Sequence, residues 1–198
     1  MVDVLVGLTV SLDGFITGPN DGVDNPLGDG GGRLFQWMNA GGEERRINRW
    51  LAPPETSRRV VDEWQGTGAI VVGRKTFDIA RGWAYGHPID VPIFVVTHHE
   101  PEEGEWSKQV RFVTTGFEDA LDQAIAVAGD GFVSLGSADV TQQALRGGRL
   151  DIIDVNLVPC LLGGGVRLFD SFEGPVDLIQ ERVIQSDGVT HIRYRMIR

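Results

Sequence analysis

The chain has 198 residues, of which 41% are hydrophobic and 23% are charged, and its formal net charge is −10. This length and apolar fraction fit one globular domain over residues 1–198 and argue against overall disorder. Net negative charge disfavours binding to nucleic acids or to anionic membranes, because both need a cationic surface. A single cysteine, Cys160, excludes an intramolecular disulfide and a Cys-rich zinc site.

The N-terminal residues give no sign of export or of membrane insertion. No basic segment precedes the first apolar run, and no stretch approaches the roughly 18 to 20 apolar residues of a membrane span. A soluble, cytoplasmic protein is therefore expected.

The first predicted element is a strand over residues 4–10, an apolar run of the kind that a parallel sheet buries on both faces. Residues 13–38 follow and are so rich in Gly, Asp and Asn that a long loop is predicted. Such a loop is usually functional or mobile, and the alternative is a disordered surface insertion. Phe35 and Trp37 favour a loop that packs over another part of the protein.

After this loop, predicted helices and strands alternate. Helices are expected over 41–51, 54–66, 76–81, 117–129 and 137–148, and strands over 69–73, 92–97, 110–115, 132–136 and 152–159. Residues 176–197 have the alternation of an antiparallel hairpin that turns at 186–188. The series predicts a three-layer α/β fold with a mostly parallel central sheet and an antiparallel C-terminal hairpin.

Two predicted strand ends carry residues suited to an anion. Arg74 and Lys75 follow the strand at 69–73, and a second strand leads through Gly136 and Ser137 directly into a helix. Small residues let a ligand approach the backbone, and a helix N-terminus offers free N–H groups and partial positive charge. Each feature alone is common in ordinary strand ends. Because ligands of open α/β sheets bind at the carboxyl ends of the strands, the two together predict an anion site.

Other catalytic motifs are missing from the sequence. It has no G-x-G-x-x-G fingerprint after a strand, no Walker A loop, no G-x-S-x-G elbow and no H-E-x-x-H. His98 and His99 are adjacent, so on a strand they point to opposite faces, and no metal site is predicted. Asp13 is a weak candidate for a catalytic acid, and it is equally suited to form a turn before Gly14.

Several segments in chain order resemble a known family: "TVSLDGFI", "VVGRKTF", "PIFVVT", "VSLGSADVTQQAL" and "LVPCLLGGGVRLF". Together they resemble the dihydrofolate reductase-like superfamily, most closely the reductase domain of bacterial riboflavin biosynthesis (the RibD C-terminal domain) and its stand-alone relatives. The resemblance spans nearly the whole chain, and no one of the segments is sufficient alone.

The resemblance implies NADPH as cofactor and assigns its contacts. The turn that meets the 2′-phosphate corresponds to Gly73, Arg74, Lys75 and Thr76, and the strand end beside it to Thr97 and His98. The pyrophosphate cradle corresponds to Gly136, Ser137, Ala138 and Val140, and the positions along the nicotinamide to Thr9 and Ile16. Gly164, in the later glycine run, is also counted among the cofactor contacts.

The expected activity is hydride transfer from NADPH to a C=N or C=O of a small, heterocyclic or aldose-like substrate. Phe35, Trp37 and Trp83 are predicted to line the substrate pocket, with plain core packing as the alternative. The helix carboxylate of dihydrofolate reductases is not found in 54–66, and no zinc deaminase site accompanies the chain. Two alternatives remain: the pyrimidine reductase of riboflavin biosynthesis, and a nucleotide-binding protein without turnover. The family also leads us to expect a homodimer.

Overall fold

The computed structural model describes residues 2–170, 172 and 174–197. The strands within these residues are β1 (Val4–Ser11), β2 (Phe15–Thr17), β3 (Thr67–Gly73), β4 (Ile93–Val96), β5 (Val110–Val113), β6 (Phe132–Leu135), β7 (Ile152–Val158), β8 (Val166–Arg167), β9 (Leu178–Ser186) and β10 (Val189–Met196). Eight of them form one sheet in the order β5-β4-β3-β6-β1-β7-β10-β9, and β2 pairs with β8 separately.

The six strands from β5 to β7 are parallel, and β10 runs antiparallel to both β7 and β9. The predicted parallel sheet with an antiparallel C-terminal hairpin is therefore confirmed. Because six neighbouring strands point the same way, their carboxyl ends share one edge, and β1 lies two strands from β3 along that edge.

Within the described residues, four α-helices lie against this sheet: α1 (Glu55–Glu63), α2 (Arg74–Ile79), α3 (Phe117–Val127) and α4 (Ala138–Arg146). The longest, α3, has 11 residues. No helix in the described part of the chain is long and apolar enough to cross a membrane.

The central strands are apolar because they are covered on both faces. The main hydrophobic cluster joins Val6, Val71 and Leu135 of the sheet to Leu121 and Ala124 of α3. Burial of each such large side chain contributes about 1.5–3 kcal/mol. This packing fixes the strand ends, which in turn fix the positions of the residues that follow them.

The predicted helix over 41–51 is wrong: the segment holds only a single 3-10 turn, Glu43–Arg45. At Gly41 the backbone runs so close to the next segment that an added Cβ would lie 2.2 Å from the carbonyl oxygen of Pro53. The Asn48 side chain accepts hydrogen bonds from the backbone N–H groups of Trp50 and Leu51. Such local side-chain bonds give the backbone an alternative to the helix.

The loop over 13–38 is more ordered than its composition predicts. It contains β2 and a 3-10 helix, Gly31–Asn39. Between them, Gly18 donates its N–H to Leu27, and an added Cβ on Gly18 would lie 2.0 Å from the carbonyl oxygen of Asp29. The glycines of this loop thus permit close backbone contact rather than disorder.

Candidate functional site

A cleft of about 800 Å³ opens at the carboxyl edge of the sheet. The segments that follow β1, β3, β4 and β6 form its walls. Eleven of the thirteen predicted cofactor residues line it, namely Thr9, Ile16, Gly73, Arg74, Lys75, Thr76, Thr97, His98, Gly136, Ser137 and Ala138. Residues that lie far apart in the sequence are thus brought to one ligand-sized space.

At one end of the cleft, Arg74 begins α2 and lies against the end of β4. Its Nε donates to Asp78 at 2.8 Å, and its Nη1 donates to the carbonyl of His99 at 2.9 Å. The same nitrogen is 3.4 Å from the Thr97 hydroxyl. These contacts hold the guanidinium in place and leave its Nη2 without a hydrogen-bond partner among the described residues. A guanidinium held in this way can offer a planar donor group to a phosphate.

Lys75 points in another direction from Arg74. Its ammonium lies 2.7 Å from the carboxylate of Asp21, which belongs to the loop between β2 and the 3-10 helix Gly31–Asn39. The ion pair therefore joins the end of β3 to the opposite wall of the cleft.

The middle of the cleft is formed by the turn from β6 into α4. Ser137 precedes the helix, and its hydroxyl accepts the N–H of Gly73 at 3.1 Å, which ties the ends of β3 and β6 together. Gly136 packs so tightly that an added Cβ would lie 2.8 Å from Cγ1 of Val72. The N-terminus of α4 faces this space with its partial positive charge. Asp139, in the first turn of α4, adds a carboxylate to the same wall.

At the β1 end the cleft is more apolar, with Leu8, Ile16 and Phe35 in its lining. Two hydroxyls on this wall, those of Thr9 and Thr17, are buried and have no hydrogen-bond partner in the described chain. An unpaired buried polar group costs about 1–3 kcal/mol. A ligand that donates or accepts hydrogen bonds here would remove that cost.

Asp13 lies beyond this wall and holds two loops together. It accepts hydrogen bonds from the Ser11 hydroxyl at 2.6 Å and from the backbone N–H groups of Leu162 and Gly163 at 3.1 and 2.8 Å. The Ser11 bond, with these backbone bonds, lowers the pKa of Asp13 to about 2. A carboxyl that stays ionised at neutral pH is poorly suited to donate a proton, so its contacts favour a structural role.

Besides Asp13, four of the predicted residues do not line the cleft. Val140 is fully buried in the main core, and Gly164 lies outside the lining. Trp83 lies in a left-handed turn over Arg81–Trp83, which places its ring 6.4 Å from that of Phe77 in a separate hydrophobic cluster. Trp37 is 2% exposed and packs its ring 4.9 Å from the imidazole of His191. Of the three predicted pocket aromatics, only Phe35 lines the cleft.

The structure adds lining residues that the sequence did not single out as ligands, among them Asp21, Thr17 and Gln143. Asp21 and Thr17 come from the loop over 13–38, where no periodic pattern indicates which side chains face inward. Gln143 is one turn further along α4 than Asp139, and its amide donates to that carboxylate at 3.0 Å.

A second group of polar side chains is buried on the face of the sheet that α1 covers. His191 lies with Nδ1 2.6 Å from Oδ1 of Asn156 and Nε2 2.9 Å from the Ser57 hydroxyl. Ser57 in turn lies 2.8 Å from the hydroxyl of Ser186. Burial, with a smaller contribution from the charge of Arg182, lowers the pKa of His191 to about 4, so the imidazole is neutral. Ser57 has no exposed surface and cannot reach a substrate.

No group of His, Cys, Asp and Glu in the described residues has the arrangement of a metal site. The cleft does fit a phosphorylated nucleotide, since it combines two cations, a helix N-terminus and unpaired hydroxyls. The fold and this cleft together define an α/β protein with a nucleotide-sized site at the carboxyl edge of its sheet.

The RibD C-terminal domain family matches residues 3–191, so the chain belongs to that family. The resemblance seen in the sequence is thereby confirmed. A comparison with curated protein sequences found no match.

Solved structures with the same fold include a protein of Shewanella sp. PV-4 whose name assigns it provisionally to riboflavin biosynthesis. It is 20% identical, with a TM-score of 0.73 and full coverage of both chains. A deaminase/5-amino-6-(5-phosphoribosylamino)uracil reductase of Thermotoga maritima is 14% identical with a TM-score of 0.61, and 99% of this chain matches 57% of that one. Dihydrofolate reductase of Enterococcus faecalis, complexed with NADP(H), is 11% identical with a TM-score of 0.58 over 99% and 97% of the two chains. At these identities the likeness establishes the fold.

Proposed function

We propose that the protein is an NADPH-dependent reductase that transfers a hydride to a C=N or C=O group of a small heterocyclic or aldose-like substrate. The observation that carries the proposal is the arrangement of the cleft. Arg74 and Lys75 stand at one end, the N-terminus of α4 lies in the middle, and an apolar wall with unpaired hydroxyls lies at the β1 end. Membership of the RibD C-terminal domain family supports a cofactor of this kind.

Each part of the cleft has a different task in this proposal. Arg74 would bind the 2′-phosphate, since its guanidinium is already oriented by Asp78 and the His99 carbonyl. The α4 N-terminus would receive the pyrophosphate, for which Gly136 and Ser137 leave the backbone accessible. Thr9 and Ile16 would orient the ring that supplies the hydride, and the apolar side chains beside them would exclude water.

The proposal is tested by replacing Arg74 with Ala and measuring binding of NADPH and NADH by calorimetry. NADPH should bind about 1–3 kcal/mol more weakly because a charge-assisted contact is lost, whereas NADH binding should change little. Arg111→Ala serves as the matched control, because Arg111 is exposed, stacks over Phe94 and does not line the cleft. Equal losses for both cofactors would show that Arg74 does not read the 2′-phosphate. Failure of the unmodified protein to bind NADPH at micromolar concentration would refute the proposed cofactor.

A second candidate is reduction of 5-amino-6-(5-phosphoribosylamino)uracil. It is favoured by the family match and by the fold shared with the Thermotoga maritima enzyme that bears this name. Oxidation of NADPH with this compound, followed by the loss of the absorbance of the reduced nicotinamide, would distinguish it from other substrates. If NADPH binds but no heterocyclic or aldose-like compound supports its oxidation, the chain is a nucleotide-binding protein without turnover.

A further inference from the structure

The ion pair between Lys75 and Asp21 has a consequence for cofactor choice. Lys75 stands at the end of β3, where the proposed function places the 2′-phosphate, and yet its ammonium is already 2.7 Å from a carboxylate. The Lys75 side chain is 59% exposed and that of Asp21 only 12%. The carboxylate is thus held inside the cleft by a cation that could otherwise meet a ligand.

The loop that carries Asp21 is stiff enough to hold it there. Gly18 donates to Leu27, Asp29 donates to Pro19, and Gly22 and Asn25 exchange backbone hydrogen bonds. The Asn20 and Asn25 side-chain amides both donate to the Asp29 carboxylate, at 2.7 and 2.9 Å. The loop therefore holds Asp21 in a fixed position, and the ion pair with Lys75 connects the loop to the opposite wall of the cleft.

Arg74 and Lys75 differ in this respect. The partners of Arg74 are Asp78, Thr97 and His99, which all lie on its own side of the cleft. A phosphate could approach Arg74 without moving any of them. Lys75, in contrast, already shares its ammonium with Asp21, so a phosphate dianion that meets Lys75 comes close to a carboxylate that repels it.

We infer that Asp21 is a specificity-determining residue, which competes with the cofactor's 2′-phosphate for Lys75 and so lowers the preference of the cleft for NADPH over NADH. A cofactor without the 2′-phosphate leaves the ion pair intact. One that carries it must displace Asp21 from Lys75 and release the loop from the far wall. The inference rests on the proposed function, since it requires the 2′-phosphate to lie at Lys75.

The test compares Asp21→Asn with Asp24→Asn by calorimetric titration. Asp24 lies in the same loop, is exposed and has no ionic or hydrogen-bond partner among the residues that the structure describes. Its substitution therefore makes the same change in net charge without touching Lys75. Asp21→Asn should bind NADPH and adenosine 2′,5′-bisphosphate about three- to tenfold more tightly, as expected for one released charged contact. Binding of NADH and 5′-AMP should not become tighter. Asp24→Asn should behave as the unmodified protein.

A double-mutant cycle with Lys75→Gln shows whether Asp21 acts through Lys75. In the Lys75→Gln protein, Asp21→Asn should no longer tighten NADPH binding. The inference is overturned if Asp21→Asn and Asp24→Asn have equal effects, if the gain persists without Lys75, or if Asp21→Asn weakens NADPH, which would make Asp21 a direct cofactor contact. If neither the unmodified protein nor any variant binds NADPH, the proposed function fails and this inference fails with it.

Discussion

The cleft and the buried cluster around His191 use similar residues in opposite ways. Both contain histidine and serine side chains, but the cleft lies at the ends of β3, β4 and β6, whereas the cluster lies on α1, β7 and β10. In the cluster, Asn156, His191 and Ser57 are at most 2% exposed and bond to one another. In the cleft, His98 is exposed, the Thr9 hydroxyl has no hydrogen-bond partner among the described residues, and Lys75 is paired with the carboxylate of Asp21.

This difference shows why residue identity alone does not define a site. The Ser57–His191–Asn156 series has the contact distances of a hydrolytic triad, but its serine has no exposed surface and its partners are satisfied within the protein. Its polar groups therefore specify how α1, β7 and β10 pack. In the cleft, by contrast, the Thr9 and Thr17 hydroxyls keep a capacity for hydrogen bonds that the described residues do not complete.

The largest expected effect on stability comes from replacing one histidine in each of the two regions. His191→Ala should lower the free energy of unfolding by about 3 kcal/mol, because it removes the contact with Trp37 and leaves the oxygen of Asn156 without its donor. His98→Ala should change it by less than about 0.5 kcal/mol, because His98 is exposed. Urea unfolding at pH 7.5 (a value about one unit above the usual histidine pKa) measures both. Equal losses would contradict the contrast between the two regions.

The pH dependence of stability tests the buried cluster, in which His191 is the titrating group. The pKa of His191 is about 4 in the folded protein, below the value of about 6.5 expected when it is unfolded. As the pH falls, the unfolded chain therefore takes up the proton first. The contribution of His191 to the free energy of unfolding is complete above about pH 6.5 and is lost as the pH falls towards 4. The loss should approach about 3 kcal/mol, at about 1.4 kcal/mol per pH unit.

His191→Gln should abolish most of that dependence. Burial also lowers the pKa of His87, so a smaller slope of the same sign should remain in the variant. The quantity to compare is the slope of unfolding free energy against pH in the two proteins. Identical slopes would show that His191 does not carry the effect.

The smallest expected effect concerns two buried threonines. Thr9→Val should leave stability unchanged or raise it by less than about 1 kcal/mol, because it removes a hydroxyl that has no partner in the described chain. Thr141→Val should lower it by about 1 kcal/mol, because that hydroxyl donates to the carbonyl of Ser137 at 2.8 Å. Thermal unfolding of the ligand-free proteins is the measurement. A marked loss from Thr9→Val would mean that its hydroxyl is satisfied in solution.

The sequence predicted those parts of the molecule that depend on local pattern. Apolar runs ending in turn residues located the central strands, and Arg74, Lys75 and Ser137 were placed at strand ends by those same runs. The segment over 41–51 was predicted wrongly because its conformation depends on the approach of Gly41 to Pro53, a contact that helical periodicity does not reveal.

Side-chain direction was harder to predict than position. Trp37 was expected in a ligand pocket, and its burial depends on His191, a residue on the last strand of the chain. Asp21 was not identified because its relation to Lys75 spans 54 residues and follows from how one loop lies across a sheet edge. Neither contact leaves a pattern within a short stretch of sequence.

The order of the strands also gives the cleft a fixed length. Between β1 and β4 lie two strands, β6 and β3, so the outer walls are three strand spacings apart, or about 14 Å at the usual spacing in a sheet. Hydrogen-bonded strands cannot change that distance without breaking the sheet. The length of the cleft therefore selects for the length of the ligand. A mononucleotide can contact the wall beside Thr9 or the wall beside Arg74, whereas a dinucleotide can contact both at once.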